Sequence, residues 1–394
     1  MNITFLTGEY PPMQGGIADY TANLAAHLPH FQVTPVVLTS RRWPGSAEVT
    51  TPVYPTLPNW GWRSWFYIRH HLNHYRPDIL HIQYQAAMYD LGGWVNWLPW
   101  YLKRRGQKTG LVTTFHDLRV PYIFPKVGRF RWWSMLALAR YSNAIICTNR
   151  EDIARLKEHG IGVKNPQKIY LIRLGNNVTP QPPPDFERVV WRRQYQADES
   201  TLLLAYFGFL NESKGGEELI TALGLLRQQG INARLLFIGG EVGDADPTNA
   251  AYARQIQHLI KQKSLTAYVH RTGYVSPREV SANLLAADAV VLPYRDGVSF
   301  RRTTLIAALR HGCPIVSTKP RESTLLPEVI AGKTMLLAQR HDAVNLAQTI
   351  ARLAQNLPLR QQLSIASTEL GNMFDWPQIG QKTARVYQQL RNRN

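Results

Sequence analysis

The chain has 394 residues, with 45 Lys and Arg against 27 Asp and Glu for a net charge of +18. That length points to two domains rather than one core, and 44% hydrophobic residues fit a soluble globular protein. No apolar run is long enough to span a bilayer, Trp94 to Leu102 being too short, and no basic-then-apolar leader precedes the first strand.

Cys147 and Cys313 both lie in apolar segments without metal-ligand spacing, and read as buried reduced thiols of a cytoplasmic protein. The positive charge is uneven: through Pro180 there are 20 Lys and Arg against 9 Asp and Glu, and 9 of the 11 tryptophans fall in the same stretch. Basic residues with tryptophan suit an anionic membrane interface and also suit nucleic acid. The bland alternative is a general solubility charge with tryptophans in the core.

Residues 1–8 read as a strand, followed by the loop GEYPPMQGGI. From Asp19 a helix is predicted through Tyr20, Leu24 and Leu28, and Val33 to Leu38 is the next strand, giving a unit of the doubly wound kind. Gly15 and Gly16 stand where backbone approaches a ligand closely at a helix start, or form a plain turn pair; they lack the GxGxxG pattern of a dinucleotide site. Residues 57–76 read as a helix rich in Trp, His and Arg. The strand Ile79 to Gln83 follows, then the aromatic segment YDLGGWVNWLPWYLKRR.

Val112 to Phe115 is a strand ending at His116-Asp117, and a histidine at the carboxyl end of a parallel strand faces the ligand crevice in this class. Residues 119–133 are basic, aromatic and interrupted by proline, and Ala144 to Thr148 and Lys168 to Ile172 add two strands. Asn176 to Glu187, with four prolines, reads as a linker between a first domain, 1–178, and a second, 188–374. The second series has strands at Leu202–Phe207, Arg234–Ile238, Val269–Arg271, Ala289–Leu292 and Ile315–Val316. A last amphipathic helix in 375–394 is expected to pack back on the first domain. The architecture inferred is α/β, two Rossmann-like domains facing a crevice.

The stretch DAVVLPYRDGVSFRRTTLIAALRHGCPIVST, residues 288–318, reads as strand, turn at Asp296-Gly297, helix, stop at Gly312 and Pro314, and strand. Arg301, Arg302, Thr303 and Thr304 stand where free backbone N–H groups gather. Guanidinium charge at a helix start makes an anion site there, or the arginines simply face water.

EYPPMQGGI, FHD at 115–117, GFLNESKGGEEL at 208–219, TGYV at 272–275 and DGVSF with AALRHGCPIVST occur in one order along the chain. In these motifs the sequence resembles the retaining glycosyltransferases of family four, which have the GT-B fold, over essentially its whole length. The resemblance implies a nucleotide-diphosphate sugar as donor, bound mainly by the second domain. It implies a glycan, lipid or small-molecule acceptor at the first domain, and transfer in the cleft without a metal ion or other cofactor. By it, Gly15 and Gly16 match the pair that approaches the donor phosphate and sugar, and His116 the histidine at the sugar. Lys214 matches the lysine that neutralises the diphosphate, and Tyr274, after Gly273, falls where backbone meets the nucleobase.

Two departures stand out. Phe209 occupies the place of an arginine that usually precedes the lysine. Ser299 and Ala307 occupy the places of two glutamates, the nearest acid being Asp296. Arg301 and Arg302 are the candidates to replace the missing cation, since a guanidinium grips phosphate with two parallel hydrogen bonds. Asp296 is read as orienting sugar hydroxyls or capping the turn at Gly297.

Asp244 and Asp246 in GDADP read as a surface turn rather than a metal motif. His70, His71 and His74 have helical spacing but no acidic or cysteine partner nearby. Beside an active transferase docked on a membrane, the sequence leaves a catalytically silent nucleotide-sugar or glycan binder, to which the lost glutamates point. A nucleic-acid binder rests on charge alone and is not expected, and an epimerase on the same fold would want cleft carboxylates that are few here.

Overall fold

A computed structural model describes residues 1–13, 15–118, 128–240 and 247–392. The chain divides into two units, Met1–Gly175 with Asp375–Asn394, and Asn176–Phe374. Unit 1 runs β1 (Asn2–Leu6), α1 (Gly16–His27), β2 (Thr34–Ser40), β3 (Val53–Leu57), α2 (Ser64–Tyr75), β4 (Ile79–Tyr84), α3 (Trp94–Arg104), β5 (Gly110–Phe115), α4 (Gly128–Tyr141), β6 (Ala144–Cys147), α5 (Arg150–Glu158) and β7 (Ile169–Leu171). Unit 2 runs α6 (Arg188–Arg193), β8 (Leu202–Phe207), α7 (Gly216–Gln228), β9 (Ala233–Ile238), α8 (Pro247–Gln262), β10 (Val269–Arg271), α9 (Pro277–Ala286), β11 (Ala289–Leu292), α10 (Thr303–Arg310), β12 (Ile315–Thr318), β13 (Leu336–Ala338), α11 (Ala343–Ala354) and α12 (Leu357–Gly371); α13 (Trp376–Arg391) then belongs to unit 1.

Both sheets are wholly parallel, in the orders β3-β2-β1-β4-β5-β6-β7 and β10-β9-β8-β11-β12-β13. Parallel strands buried on both faces need near-continuous apolar runs, and β6 (AIIC) and β11 (AVVL) supply them. In unit 1, alternate strand residues feed two cores. Leu6, Leu38, Leu80 and Ile82 pack with α2, α3 and α4, and Ile3, Phe5, Val37 and Ile146 pack with α1 and α13. The α/β fold class read from the sequence is therefore the one observed, twice over.

Chain order reverses between β1 and β4 in unit 1 and between β8 and β11 in unit 2. Ligands of doubly wound folds bind outside the carboxyl ends of strands at these switch points. Gly15 and Gly16 follow β1, Lys214 follows β8, and Asp296 to Arg302 follow β11.

Some local expectations need correction. The first helix starts at Gly16 rather than Asp19, and the long helix expected over 57–76 is confined to Ser64–Tyr75. The aromatic segment after β4 contains a true helix, α3, despite Pro99 inside it. β3 and β13 were not expected from the sequence. Both are sheet edges, where Pro55 in VYPTL is tolerated because no neighbour needs its missing N–H.

Candidate functional site

In unit 2, the ends of β8 and β11 converge on one glycine. Gly208 adopts φ +107°, and a Cβ there would stand 2.8 Å from Thr304 Cγ2 and 3.4 Å from Lys214 Nζ. Glycine is the residue that fits both the dihedral and the space. Lys214 folds back so that Nζ donates to the Phe209 carbonyl at 2.7 Å, an oxygen that also accepts from Tyr206 Oη at 3.2 Å. Burial, with Arg302 adding to it, pushes the Lys214 ammonium down to about 8.

Arg302 is the residue before α10, and its Nη2 donates to both oxygens of Asp296, at 2.8 and 2.7 Å. The guanidinium also sits 5.0 Å over the Tyr294 ring, whose hydroxyl pairs with Thr304 Oγ1 at 2.9 Å. Asp296 is thus committed to Arg302. Ser299 Oγ accepts the Arg301 backbone N–H at 3.4 Å, and Thr303 opens α10 exposed to solvent. Ala307 is fully buried and offers only a methyl group. Phe209 is 48% exposed and Tyr274 91%, two aromatics on the loops that follow β8 and β10. Their loops meet through Gly239, which bridges to Gly273 and lies against Gly208.

Arg295, which the sequence reading passed over, joins these pieces. It donates to Glu218 at 2.8 Å, Glu212 at 3.0 Å and Glu217 at 2.5 Å, while its own N–H reaches Ser213 O at 2.9 Å. Three acids spaced along the turn and first helical residues after β8 were the signal available for it.

In unit 1, Gly15 precedes α1 and a Cβ on it would run into the Glu9 carboxylate, whereas a Cβ on Gly16 meets nothing within 4 Å. Burial raises the Glu9 carboxyl above its usual range. His116 directly follows β5, its Nε2 2.7 Å from Gln83 Oε1 and its ring edge-on to Tyr20 at a centroid distance of 4.7 Å. Burial pushes its imidazole down to about 3, so it is neutral at physiological pH.

His70 and His74 stack on one face of α2, but His71 is turned inward to Thr4 Oγ1 at 3.2 Å. Among the described residues no group of three or more His, Cys, Asp or Glu could hold a metal ion, and no helix is long and apolar enough to cross a membrane. Asp244 and Asp246, and the side chains of Lys126, Arg129 and Arg131, lie outside the described residues. Cys147 and Cys313 are buried free thiols. A cavity of about 1020 Å³ opens at the amino ends of β8, β11 and β12, on the far side from the loops that follow β8 and β11. The arginines there already surround Asp288, with Arg192 at 2.9 Å, Arg188 at 2.8 Å and Arg360 at 3.2 Å, so it is not the candidate site.

The tryptophans divide. Trp60 and Trp376 are buried, while Trp62, Trp94 and Trp133 are 48%, 42% and 51% exposed. The exposed ones join through ring contacts across α2, α3 and α4, among them Trp62–Phe66, Trp65–Trp94 and Trp97–Trp133. Arg63, Arg104 and Arg105 lie over Trp62, Trp100 and Tyr101 at 5.6, 5.3 and 5.6 Å.

Two family models match: a glycosyl transferase 4-like domain over residues 15–175 and glycosyl transferases group 1 over residues 201–356. The chain is 27% identical over 330 residues to a D-inositol 3-phosphate glycosyltransferase of Corynebacterium diphtheriae, covering 80% of this chain and 71% of the relative. It is 25% identical over 346 residues, 84% and 82% of the two chains, to a GDP-mannose-dependent alpha-(1-6)-phosphatidylinositol dimannoside mannosyltransferase of Mycobacterium tuberculosis. Among solved structures, Anabaena HepE in complex with UDP superposes with a TM-score of 0.76 at 16% identity, over 99% of this chain and all of that one.

Proposed function

The chain belongs to the family-four type of glycosyltransferases with the GT-B fold, and from that premise we propose that it moves a hexose from a nucleotide-diphosphate sugar to an acceptor hydroxyl with retention of anomeric configuration and without a metal ion. The observation that carries this reading is the convergence, at the switch point of unit 2, of Lys214 Nζ, the Arg302 guanidinium and the start of α10 around Gly208. Glycosyl transfer is hard because the diphosphate leaves as an anion while the sugar carbon becomes cation-like. A cation about 4 Å from that charge, at an effective dielectric of about 20, contributes about 4 kcal/mol before desolvation. Lys214 and Arg302 meet the diphosphate, Arg302 and Arg301 standing in for the arginine absent at Phe209. Gly15 and Gly16 let backbone approach the donor, Tyr274 lies beside the nucleobase, and Ser299 and Thr303 offer polar groups at the start of α10. Neutral His116 addresses the sugar by hydrogen bonding, and the departing phosphate guides the acceptor hydroxyl onto the same face.

The acceptor is proposed to be lipid-linked or a growing polysaccharide, in keeping with the phosphatidylinositol dimannoside in the name of the mycobacterial relative. The exposed aromatics beside α2, α3 and α4, with Arg63 and Arg104 over two of the rings, support a docking of unit 1 on an anionic bilayer surface at the inner face of the cell membrane. A second reading, a catalytically silent nucleotide-sugar or glycan binder, draws on buried Ala307 and on Asp296 being committed to Arg302.

Thermal shift with UDP, GDP, UDP-glucose and GDP-mannose tests the first step. A ligand at 100 times its dissociation constant stabilises by about 2.7 kcal/mol, and Lys214→Ala should abolish the shift. No shift with any nucleotide in wild type rejects the transferase and leaves only the glycan-binding form of the second reading. A shift without transfer or hydrolysis of the sugar selects the silent binder.

A further inference from the structure

In β4, residues two apart share a face, so His81 and Gln83 point the same way; Thr114 of β5 and His116, whose N–H continues the ladder to Tyr84 O just past it, do likewise. The register pairs Gln83 with Thr114, which puts all four on one side of the sheet. Apolar residues on that side include Phe5, Ile79 and Val112 under Leu24 and Ile379. Polar side chains there are costly unless each is hydrogen-bonded.

They are joined in a line that starts on the returning helix. Tyr387 Oη lies 2.5 Å from His81 Nδ1, and His81 Nε2 is 2.7 Å from Thr114 Oγ1. Gln83 Nε2 is 3.5 Å from His81 Nε2, and Gln83 Oε1 is 2.7 Å from His116 Nε2.

Burial holds both imidazoles neutral, so each has one N–H and one lone pair. The amide of Gln83 has one accepting end and one donating end, so it fixes the two rings together. Its oxygen accepts from His116 Nε2–H, and its nitrogen faces the His81 Nε2 lone pair at 3.5 Å, into which Thr114 Oγ1–H donates at 2.7 Å; that leaves His81 Nδ1–H to donate to Tyr387. His116 keeps its lone pair on Nδ1, which among the described residues has no hydrogen-bond partner. The Tyr20 ring, edge-on to the imidazole, restrains it from a second direction.

We propose that Gln83 is a positioning residue that holds His116 as the Nε2–H tautomer and thereby presents an Nδ1 lone pair to accept a hydrogen bond from a hydroxyl of the donor sugar, with His81 and Tyr387 setting the orientation of the Gln83 amide. The proposal rests on the reading that His116 addresses the sugar. With the amide reversed, Nδ1 carries the proton and the acceptor is lost.

The test uses the full chain with ¹⁵N-labelled histidine, the His116 signals assigned by their absence in His116→Asn. Wild type should show the Nε2–H tautomer at position 116, and Gln83→Met a mixture of tautomers. In Gln83→Met the affinity for UDP or GDP should stay within about twofold. The preference for UDP-glucose or GDP-mannose over the bare diphosphate, and kcat/KM for transfer, should fall by about 10- to 100-fold, the range that applies to outer partners of metal-ligating histidines. Tyr387→Phe should show the same split to a smaller extent. An Nδ1–H tautomer in wild type overturns the proposal even where a variant fails to fold. So does a Gln83→Met protein with wild-type turnover while His116→Asn is crippled. Full turnover in His116→Asn instead removes the role of His116 in the reading beneath.

Discussion

Arg302 spends one guanidinium nitrogen on both oxygens of Asp296, at 2.8 and 2.7 Å, while its charge still presses on Lys214. The loop after β11 therefore carries a cation whose nearest counter-ion is its own neighbour six residues back. Lys214, pushed down to about 8 by burial and then by Arg302, has less margin above neutrality than an ordinary lysine. A lysine with a lowered value loses its charge as pH rises through that value. Affinity for UDP or GDP should accordingly be steady below pH 8 and weaken above it. Asp296→Asn removes the charge that offsets Arg302, so the inflection should move to lower pH. Calorimetric titration between about pH 6.5 and 9.5 reads both, at roughly tenfold per unit if one charged lysine is required; flat affinity across that range contradicts the role given to Lys214.

Arg302 as a replacement for the cation absent at Phe209 makes a paired prediction. Arg302→Ala should lower donor turnover by about 10²- to 10³-fold, the usual effect of removing one group aimed at developing charge, and Arg301→Ala should also impair it. Phe209→Arg should be tolerated, because the side chain at 209 is half exposed and only its carbonyl holds Lys214. Steady-state kinetics on the three variants decide it, and full activity in both alanine variants removes the compensation.

How far the sequence reached can be seen element by element. β8, β9, β11 and β12 were legible because each is a largely apolar run beside a glycine or proline, as AVVL before Pro293 shows. β3 and β13 were not, since an edge strand tolerates proline and three residues carry no period. Site residues read by motif follow the carboxyl ends of β1, β5, β8, β10 and β11, but their partners did not announce themselves. Gln83 and His81 look like ordinary strand residues until the β4–β5 register sets them beside His116. Asp296 looks available for a ligand until Arg302 is seen to fill it. Periodicity reports faces, whereas such pairs depend on which strands become neighbours.

Gly16 separates a ligand requirement from a structural one. A Cβ there meets nothing within 4 Å, and the residue opens α1, where alanine is a better helix former. Gly16→Ala should leave the urea midpoint unchanged or slightly raised. If backbone at this position approaches the donor, the same variant should lose at least about tenfold in kcat/KM, equivalent to about 1.4 kcal/mol. A stable and fully active variant would place the donor elsewhere.

Three histidines fix the direction of acid sensitivity. Burial lowers His71 to about 4, with His74 and His70 adding to it. It lowers His81 and His116 to about 3, His81 also feeling His116. In the unfolded chain these rings titrate near 6.5, so between there and about 4 the unfolded state binds more protons than the folded one. Stability is then complete above pH 6.5 and lost as pH falls, at up to about 1.4 kcal/mol per unit for each histidine. Urea midpoints at pH 7.5 and 5.5 should differ with the lower value at 5.5; equal midpoints would mean that the rings accept protons inside the fold.

The membrane reading makes its own demand on the aromatic face of α2, α3 and α4. Aromatic rings favour the headgroup layer, and each basic residue near an anionic surface adds about 1 kcal/mol. Flotation with vesicles containing anionic phospholipid should therefore carry the protein, and vesicles of neutral phospholipid should not. Salt should weaken the association, because attraction to the surface is screened over about 8 Å at physiological ionic strength. Trp62→Ala with Phe66→Ala should reduce flotation without moving the urea midpoint, both rings being about half exposed. Replacing Lys126, Arg129 and Arg131 should reduce it through charge. Because a docked enzyme meets its acceptor in two dimensions, the aromatic variants should also lose transfer to a bilayer-embedded acceptor while keeping their affinity for UDP or GDP. Equal flotation on neutral and anionic vesicles, or aromatic variants that float like wild type, would show that this face has another use.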